Sequence, residues 1–416
     1  MKFVADFHLH SKYSRATSPQ MDLENLDLWA KIKGIKVLGT ADFTHPEWFK
    51  NLKEKLEPAE SGLFKLKKIK DSQTRFILTV ESSCIYSKGG KVRKIHIIVF
   101  APSFEVVEKI NTHLSRIGNL SADGRPILGL DAKELAKIVL GISEDCLIVP
   151  AHVMTPWFAV FGSRSGFDSI EECFEEYSKY IFASETGLSA DPAMLWRIPA
   201  GQKLTLISNS DAHSLQKIGR EANVFDTKLN YPAIINAVKS KDPQNFLYTI
   251  EFFPQEGKYH YDGHRMCEVR LSPQESKKCN NICPNCGRPL TIGVLNRIEE
   301  LADKPEGFHP ENAIPFKSLI CLAEIIAEAL GLTVNTKQVK KHYQDLLDKF
   351  DNELEILLNV SQKELEEVAL SEIAEGIIRV REGKVFIEPG YDGVYGKIGI
   401  FSKGEQKSFS KQGILF

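Results

Sequence analysis

Phe3-Val4-Ala5-Asp6-Phe7-His8-Leu9-His10-Ser11 opens the chain as a strand-length run that ends in two histidines one residue apart. Alternate residues of a strand point to the same face, so backbone geometry alone aims the imidazoles of His8 and His10 at one point. The pairing recurs with a carboxylate in Asp211-Ala212-His213, and between the two lie Asp42, Glu81, His96 and His152, each at or near the end of a strand-like run. A lone His or Asp at such a place is most often structural. All of them together outline a metal cluster.

One hairpin makes the outline specific. Residues 76–81 and 92–100 are strand-like and flank Lys88-Gly89-Gly90-Lys91, a Gly-Gly turn signal. A two-residue loop there sets Glu81 opposite Ile98, with His96 two residues along on the same face. Glu81 and His96 then become diagonal neighbours within reach of one ion or an ion pair.

Outward from these strands, apolar runs at residues 3–7, 35–38, 76–80, 95–100, 146–149, 180–183 and 204–208 alternate with helical patterns. Residues 22–33 carry a stripe of Leu23, Leu26, Leu28 and Trp29, and residues 131–140 begin on the acidic N-cap Asp131. The alternation predicts an α/β domain over residues 1–250, built on a largely parallel sheet or barrel. Barrel chemistry gathers at the carboxyl ends of the strands. His8, His10, Asp42, His152, Asp211 and His213 are expected there.

The texture changes after residue 250. His264-x2-Cys267-x15-Cys283-x2-Cys286 has the spacing of a zinc ribbon or knuckle, in which two tight turns each present two ligands to one tetrahedral ion. A redox pair is the alternative, and Cys279 or His260 can replace one of the four. Four protein ligands leave no open position, so residues 251–304 are read as a structural zinc module. Residues 305–416 read as mainly helical, with helices expected over 316–330, stopped by Gly331, and over 336–358, followed by strand and turn character at 385–393. From residue 301 onward 14 Lys and Arg face 19 Asp and Glu, so the main phosphate-binding surface is expected elsewhere.

Composition bounds the class. The 416 residues are 43% hydrophobic and 26% charged, with a net charge of -2, which excludes a strongly basic nucleic-acid binder of the histone type. Basic stretches at 65–70 and 88–94 are local exceptions. With no basic leader before the first strand and no apolar run near 18 residues, no membrane association is expected. A cytoplasmic protein is expected, its eight cysteines thiols or metal ligands rather than disulfides.

Imidazoles with several carboxylates and no thiolate suit Zn, Mn or Fe. Two or three such ions held close together clamp a phosphate and activate water, so phosphoester hydrolysis is the leading reaction class. No P-loop or Gly-x-Gly-x-x-Gly fingerprint competes, and no Ser or Cys nucleophile has a comparable constellation.

His8-x-His10-Ser11, Gly39-Thr40-Ala41-Asp42, Glu81, His96, Pro150-Ala151-His152 and Ser210-Asp211-Ala212-His213 resemble the polymerase and histidinol phosphatase (PHP) superfamily. Residues 150–157, 162–169, 185–192, 208–214 and 219–225, with the zinc module ending Cys286-Gly287-Arg288-Pro289-Leu290-Thr291, are similar to endonuclease Q. The resemblance implies a distorted (β/α)7 barrel with two or three divalent metals (Zn, Mn, Mg or Fe) and one structural Zn. It implies a DNA repair endonuclease, nucleoid-associated, that cuts 5′ to a deaminated base (uracil, hypoxanthine, xanthine) or an abasic site and leaves 3′-hydroxyl and 5′-phosphate. A sliding clamp or another repair protein would be its partner. Where many PHP proteins carry Asp-His, this chain has Asp42-Phe43, which bears on a third metal. Asp211, His152 and Glu81 are the expected catalytic residues. Base flipping needs a pocket and a wedge, for which Thr155, Trp157, Phe158, Ser165 and Ser169 follow His152 closely. A PHP-type small-molecule phosphatase and a nonenzymatic DNA-binding protein are the alternatives. The zinc module and long C-terminal segment argue against the first, and the retained ligands against the second.

Overall fold

In the computed structural model, residues 1–69 and 72–402 are described; Lys70 and residues 403–416 of the stretches above lie outside them. The strands in chain order are β1 (Lys2–Asp6), β2 (Val37–Gly39), β3 (Leu56–Pro58), β4 (Phe64–Leu66), β5 (Arg75–Lys88), β6 (Lys91–Ala101), β7 (Ile127–Leu128), β8 (Leu147–Pro150), β9 (Ala183–Glu185), β10 (Thr205–Ile207), β11 (Ala222–Asp226) and β12 (Phe246–Glu251). β13 (Asp262–His264) and β14 (Val269–Leu271) form a separate hairpin, and β15 (Phe316–Ser318), β16 (Phe386–Glu388) and β17 (Lys397–Gly399) follow.

One large mixed sheet runs β15-β12-β11-β1-β2-β5-β4-β3, with β6 on β5 and β8 on β6, while β9 and β10 pair in parallel on their own. The gap between β10 and β11 is stitched by a side chain: the Ser208 amide donates to Asn223 Oδ1 at 3.0 Å and Asn223 Nδ2 donates to the Ser208 carbonyl at 2.7 Å. One apolar cluster takes side chains from β1, β2, β5, β6, β8, β9, β10, β11 and β12, including Ala5, Val37, Ile77, Phe100, Val149, Ala183, Ile207, Phe225 and Phe246. Side chains from successive strands meeting in one core are the mark of a barrel. Strand direction is more mixed than the alternation predicted, because β5–β6, β6–β8 and β1–β11 are antiparallel.

The Gly-Gly hairpin has the expected register. Gly89 and Gly90 have φ of 60° and 72°, which a two-residue turn joining Lys88 to Lys91 needs, and Glu81 pairs with Ile98. The helix Leu23–Lys33 is capped by Asp22, whose side chain accepts from the Asn25 amide, and stopped by Gly34 at φ 87°. Its stripe is narrower than predicted, since Leu28 is 52% exposed. Asp131 caps the helix Ala132–Ile142 as expected.

The last segment differs more. Residues 316–330 do not form one helix: Phe316–Ser318 pairs as β15 in parallel with β12, and the helix occupies only Leu322–Ala329. Residues 336–358 split into Lys337–Lys349 and Glu353–Leu358, because Asn352 leaves the helix to cap the second piece. This segment is tied to the barrel. Lys33 and Glu353, both buried, pair at 2.6 Å, and the Tyr343 hydroxyl and Leu322 amide also donate to Glu353. These added bonds offset the desolvation of a buried ion pair.

Candidate metal centre

Glu81 lies on β5, fully buried, and its two oxygens serve two sets of histidines. Oε1 is 2.7 Å from His96 Nδ1 and 3.0 Å from His152 Nε2, whereas Oε2 is 3.6 Å from His8 Nε2 and 3.4 Å from His10 Nε2. Asp211 closes the second set, its Oδ1 3.1 Å from His10 Nε2 and 3.8 Å from His8 Nε2. The structure thus forms two groups with ligand atoms within 4.8 Å of one another, His8–His10–Asp211 and Glu81–His96–His152, with the Glu81 carboxylate between them.

Neighbouring groups decide which ring nitrogen faces the centre. Nδ1 of His8 bonds Glu185 at 3.0 Å, Nδ1 of His10 faces Asp42 Oδ1 at 3.3 Å and Ser14 Oγ at 3.2 Å, and Nδ1 of His152 meets Thr155 Oγ1 at 3.0 Å. Each Nε2 is left for the cluster. Asp42, His152 and Asp211 adopt left-handed φ of 43°, 29° and 46°, a conformation that costs a non-glycine residue about 1–3 kcal/mol and concentrates at functional sites.

The donor set fits divalent cations. Apart from these charge contacts with one another and with Glu81, His8 Nε2, His10 Nε2 and Asp211 Oδ1 are buried and make no well-directed hydrogen bond among the described residues. Such atoms are costly unless something binds them. Burial alone would lower the pKa of His8 and His10, yet both are held well above the ordinary imidazole range, His8 by Glu185 and Glu81 and His10 by Asp211, Asp42 and Glu81. Burial would raise Glu81, but His96 and His8 hold it well below the carboxylate range. His96 is pulled down to about 4 by burial, His152 and Arg125, against the pull of Glu81.

Not every expected ligand joins. Asp42 stands behind His10, its Oδ2 accepting from the Ser11 amide, the Ser11 hydroxyl and the Ser14 hydroxyl at 2.7, 2.6 and 2.8 Å. That carboxylate faces His10 Nδ1 with its Oδ1 at 3.3 Å and lies outside both groups. His213 packs its ring 4.5 Å from that of His10, with Nδ1 2.9 Å from the Asp211 carbonyl, and lies outside both groups.

The expected substrate residues divide similarly. Trp157 is 42% exposed, with its edge toward Tyr259 and the Arg164 guanidinium 6.0 Å from its ring. Phe158 lies against the ring of His96 at 4.6 Å. The Ser165 hydroxyl is used up inside the loop, accepting from the Phe158 amide and donating to the Lys94 carbonyl. Ser169 caps the helix Ile170–Phe174. Ser165 is thus held within its loop, whereas Ser169 uses only an acceptor lone pair, taken by the Glu172 amide.

His264, Cys267, Cys283 and Cys286 form the third group of ligand atoms within 4.8 Å. β13 and β14 bring in the first pair, and Gly287, at φ 73°, closes the second by donating its amide to the Cys283 carbonyl. Cys279 instead donates to the Ser276 carbonyl, and His260 is buried beside Tyr261. The module also grips the barrel. Arg297, on the helix Val294–Leu301, donates to the carbonyls of Phe161 and Phe167 and to Asp168, so it clasps the loop that follows His152.

The chain superposes on the crystal structure of the lesion-specific endonuclease PfuEndoQ from Pyrococcus furiosus with a TM-score of 0.86 and 30% identity, covering 98% of this chain and 99% of that one. The chain belongs to the endonuclease Q family. A second endonuclease Q structure, a complex with a 27-mer duplex bearing an abasic lesion at the active site, matches with a TM-score of 0.85 and 31% identity over 98% of each chain. Residues 321–384 match the family model of the MJ0043 C-terminal domain. MJ0043 of Methanocaldococcus jannaschii is 37% identical over 256 residues, which are 59% of this chain and 31% of that protein.

As an endonuclease Q family member the chain is an endonuclease, and two of its site residues escape a reading by sequence. Glu185 accepts from His8, from the His152 amide at 2.8 Å and from Asn209 Nδ2 at 2.8 Å. Its signal was weak, since the apolar run at 180–183 ends two residues before it whereas β9 runs to Glu185 itself. Arg125, whose Nη1 donates to Glu81 Oε2 at 3.0 Å, lies on a turn-rich segment with no strand pattern.

Proposed function

We propose that this endonuclease Q family chain nicks duplex DNA on the 5′ side of a deaminated base (uracil, hypoxanthine, xanthine) or an abasic site, leaving 3′-hydroxyl and 5′-phosphate. The observation that carries the chemistry is the Glu81 carboxylate, with one oxygen toward each of two histidine groups. Two divalent ions held by those groups would lower the pKa of a water and neutralise charge on the phosphate. The lesion class is supported by the relative bound to abasic duplex. Water adds to phosphorus, the bond from phosphorus to the 3′ oxygen breaks, and that oxygen leaves as the 3′-hydroxyl. Glu81 and Asp211 fix the ion positions, and His152, tied to Thr155, sits between the cluster and the loop that meets the base.

Trp157, 42% exposed on the loop after His152, is the candidate wedge, and Thr155, bonded to His152, and Phe158, packed on His96, are the candidates to meet the displaced base. The zinc module supports the loop through Arg297, an arrangement with little use for a small phosphate ester. No helix among the described residues is long and apolar enough to cross a membrane. We place the enzyme in the cytoplasm with the nucleoid. The test is product mapping: metal-loaded protein on uracil, hypoxanthine, xanthine, abasic and undamaged duplexes labelled at either end. The reading expects one nick 5′ to each lesion and none in undamaged DNA. Nicks at random positions, or loss of a terminal phosphate alone, would overturn it.

A further inference from the structure

The two ligand groups account for His8, His10, Asp211, Glu81, His96 and His152, and leave Asp42 with the space beside it. Asp42 is 1% exposed and its Oδ2 is saturated by three donors from Ser11 and Ser14. Residues 123–126 close over it. The Gly124 amide donates to the Tyr13 carbonyl at 3.0 Å, the Thr44 hydroxyl to the Gly124 carbonyl at 3.4 Å, and the Ser83 amide to the Pro126 carbonyl at 2.9 Å. A Cβ on Gly124 would stand 2.3 Å from Asp42 Oδ2 and 2.4 Å from Ser14 Oγ, so only glycine packs there. Protein therefore fills the space against Asp42 Oδ2, and its Oδ1 faces His10 Nδ1 at 3.3 Å.

The segment that closes the space also delivers Arg125. Its Nη1 lies 3.0 Å from Glu81 Oε2, the oxygen turned toward His8 and His10, and its side chain is 26% exposed where that of Glu81 is 0%. It therefore reaches the cluster from the open side, and its other N–H groups make no hydrogen bond among the described residues. We propose that the Arg125 guanidinium stands in for a third cation and binds a non-bridging oxygen of the scissile phosphate, so that the barrel works with two ions and one arginine. This inference rests on the phosphodiester reading above. A phosphodiester carries one negative charge, and attack by water gathers a second on its non-bridging oxygens. A guanidinium is charged at every relevant pH and presents a planar fork of donors that suits those oxygens. Its interaction strengthens as the charge develops, which raises kcat more than it lowers KM.

The experiment compares the parent, Arg125→Gln, Arg125→Lys and Arg125→Ala. Each is assayed for metal content, inhibition by inorganic phosphate, and turnover on abasic duplex and on bis(p-nitrophenyl) phosphate. Every protein should hold two barrel ions and one zinc. Arg125→Gln should lose ~10²-fold or more in kcat on both substrates with KM little changed, the scale of losing one oxyanion donor. It should also bind inorganic phosphate more weakly than the parent. Arg125→Lys should recover only part of the loss, and added guanidinium should partly rescue Arg125→Ala, which a purely structural role would not permit. A third barrel ion in the parent, loss of ions in Arg125→Gln, or an unchanged kcat would overturn the proposal. If the parent cleaves the small diester but not the duplex, the DNA reading fails while the small diester still decides the role of Arg125.

Discussion

Glu185 holds His8 by its Nδ1 at 3.0 Å across 177 residues of sequence, and through the same carboxylate it accepts the amide of His152. One residue at the end of β9 thereby sets a ring in each ligand group, turning Nε2 of His8 inward and fixing the backbone that carries His152. Outer partners of this kind are worth about 10–100-fold in metal affinity. Glu185→Ala should therefore weaken metal binding by that order and cut turnover at limiting metal, with the fold intact by circular dichroism. Competition against a chromogenic chelator measures it, and an unchanged affinity would remove Glu185 from the site.

The bridging position of Glu81 makes a stoichiometric prediction. Glu81→Ala and His96→Ala should each lower the number of barrel ions, whereas His113→Ala, at an exposed histidine of the helix Phe104–Leu114, should leave the count unchanged. Equal counts in all three would break the two-group geometry.

How much of this was legible follows from the range of each interaction. The Glu81–His96 relation could be read because a Gly-Gly turn fixes register and register fixes the face. The grouping of His264, Cys267, Cys283 and Cys286 was legible because two-residue knuckles are local. The partners of Asp42 were not legible because the hydroxyls that saturate its Oδ2, on Ser11 and Ser14, reach it only through the fold. The bonds of Ser165 to Phe158 and Lys94 and the capping role of Ser169 were hidden for the same reason, since a serine's partners show only once its loop or cap is formed. Residues 316–318 left the helical pattern to pair with β12, a contact made some 67 residues away between Thr249 and Phe316 that no local periodicity records.

Buried acids outside the ligand groups give a pH prediction. Glu251 is pushed up to about 8, chiefly by burial and also by Asp191, against donors from Thr249 and Thr186; Glu221 is raised by burial and by Glu251. The folded state thus holds the Glu251 proton more tightly than the unfolded chain, whose carboxyl titrates near 4.5. This contribution to stability is complete below about pH 4.5 and is lost as pH rises toward 8, at no more than about 1.4 kcal/mol per pH unit. Glu251→Gln should remove the loss, so its Tm advantage over the parent should grow from pH 5 to pH 8. A pH-independent difference would contradict the shift.

The proposed zinc module gives a test that separates duplex handling from ester chemistry. Cys286→Ser should lose the module's zinc, whose binding contributes folding energy. It should bind duplex weakly, yet keep the barrel ions and residual turnover of a small chromogenic phosphodiester. If zinc is lost and uracil-containing duplex is nicked as well as by the parent, the module has no part in recognising DNA.

In the function proposed above, the cluster around Glu81 and Asp211 cuts lesion-bearing DNA. Asp211→Asn keeps the size of the residue whose Oδ1 lies 3.1 Å from His10 Nε2 but removes its charge. The deciding measurement is single-turnover nicking of abasic duplex by the parent and Asp211→Asn at saturating metal, alongside duplex affinity. The parent should nick the lesion strand and spare undamaged duplex, while Asp211→Asn should bind the same DNA with similar affinity and cut it at least ~10³-fold more slowly. Near-parental cutting by Asp211→Asn at saturating metal would contradict the account.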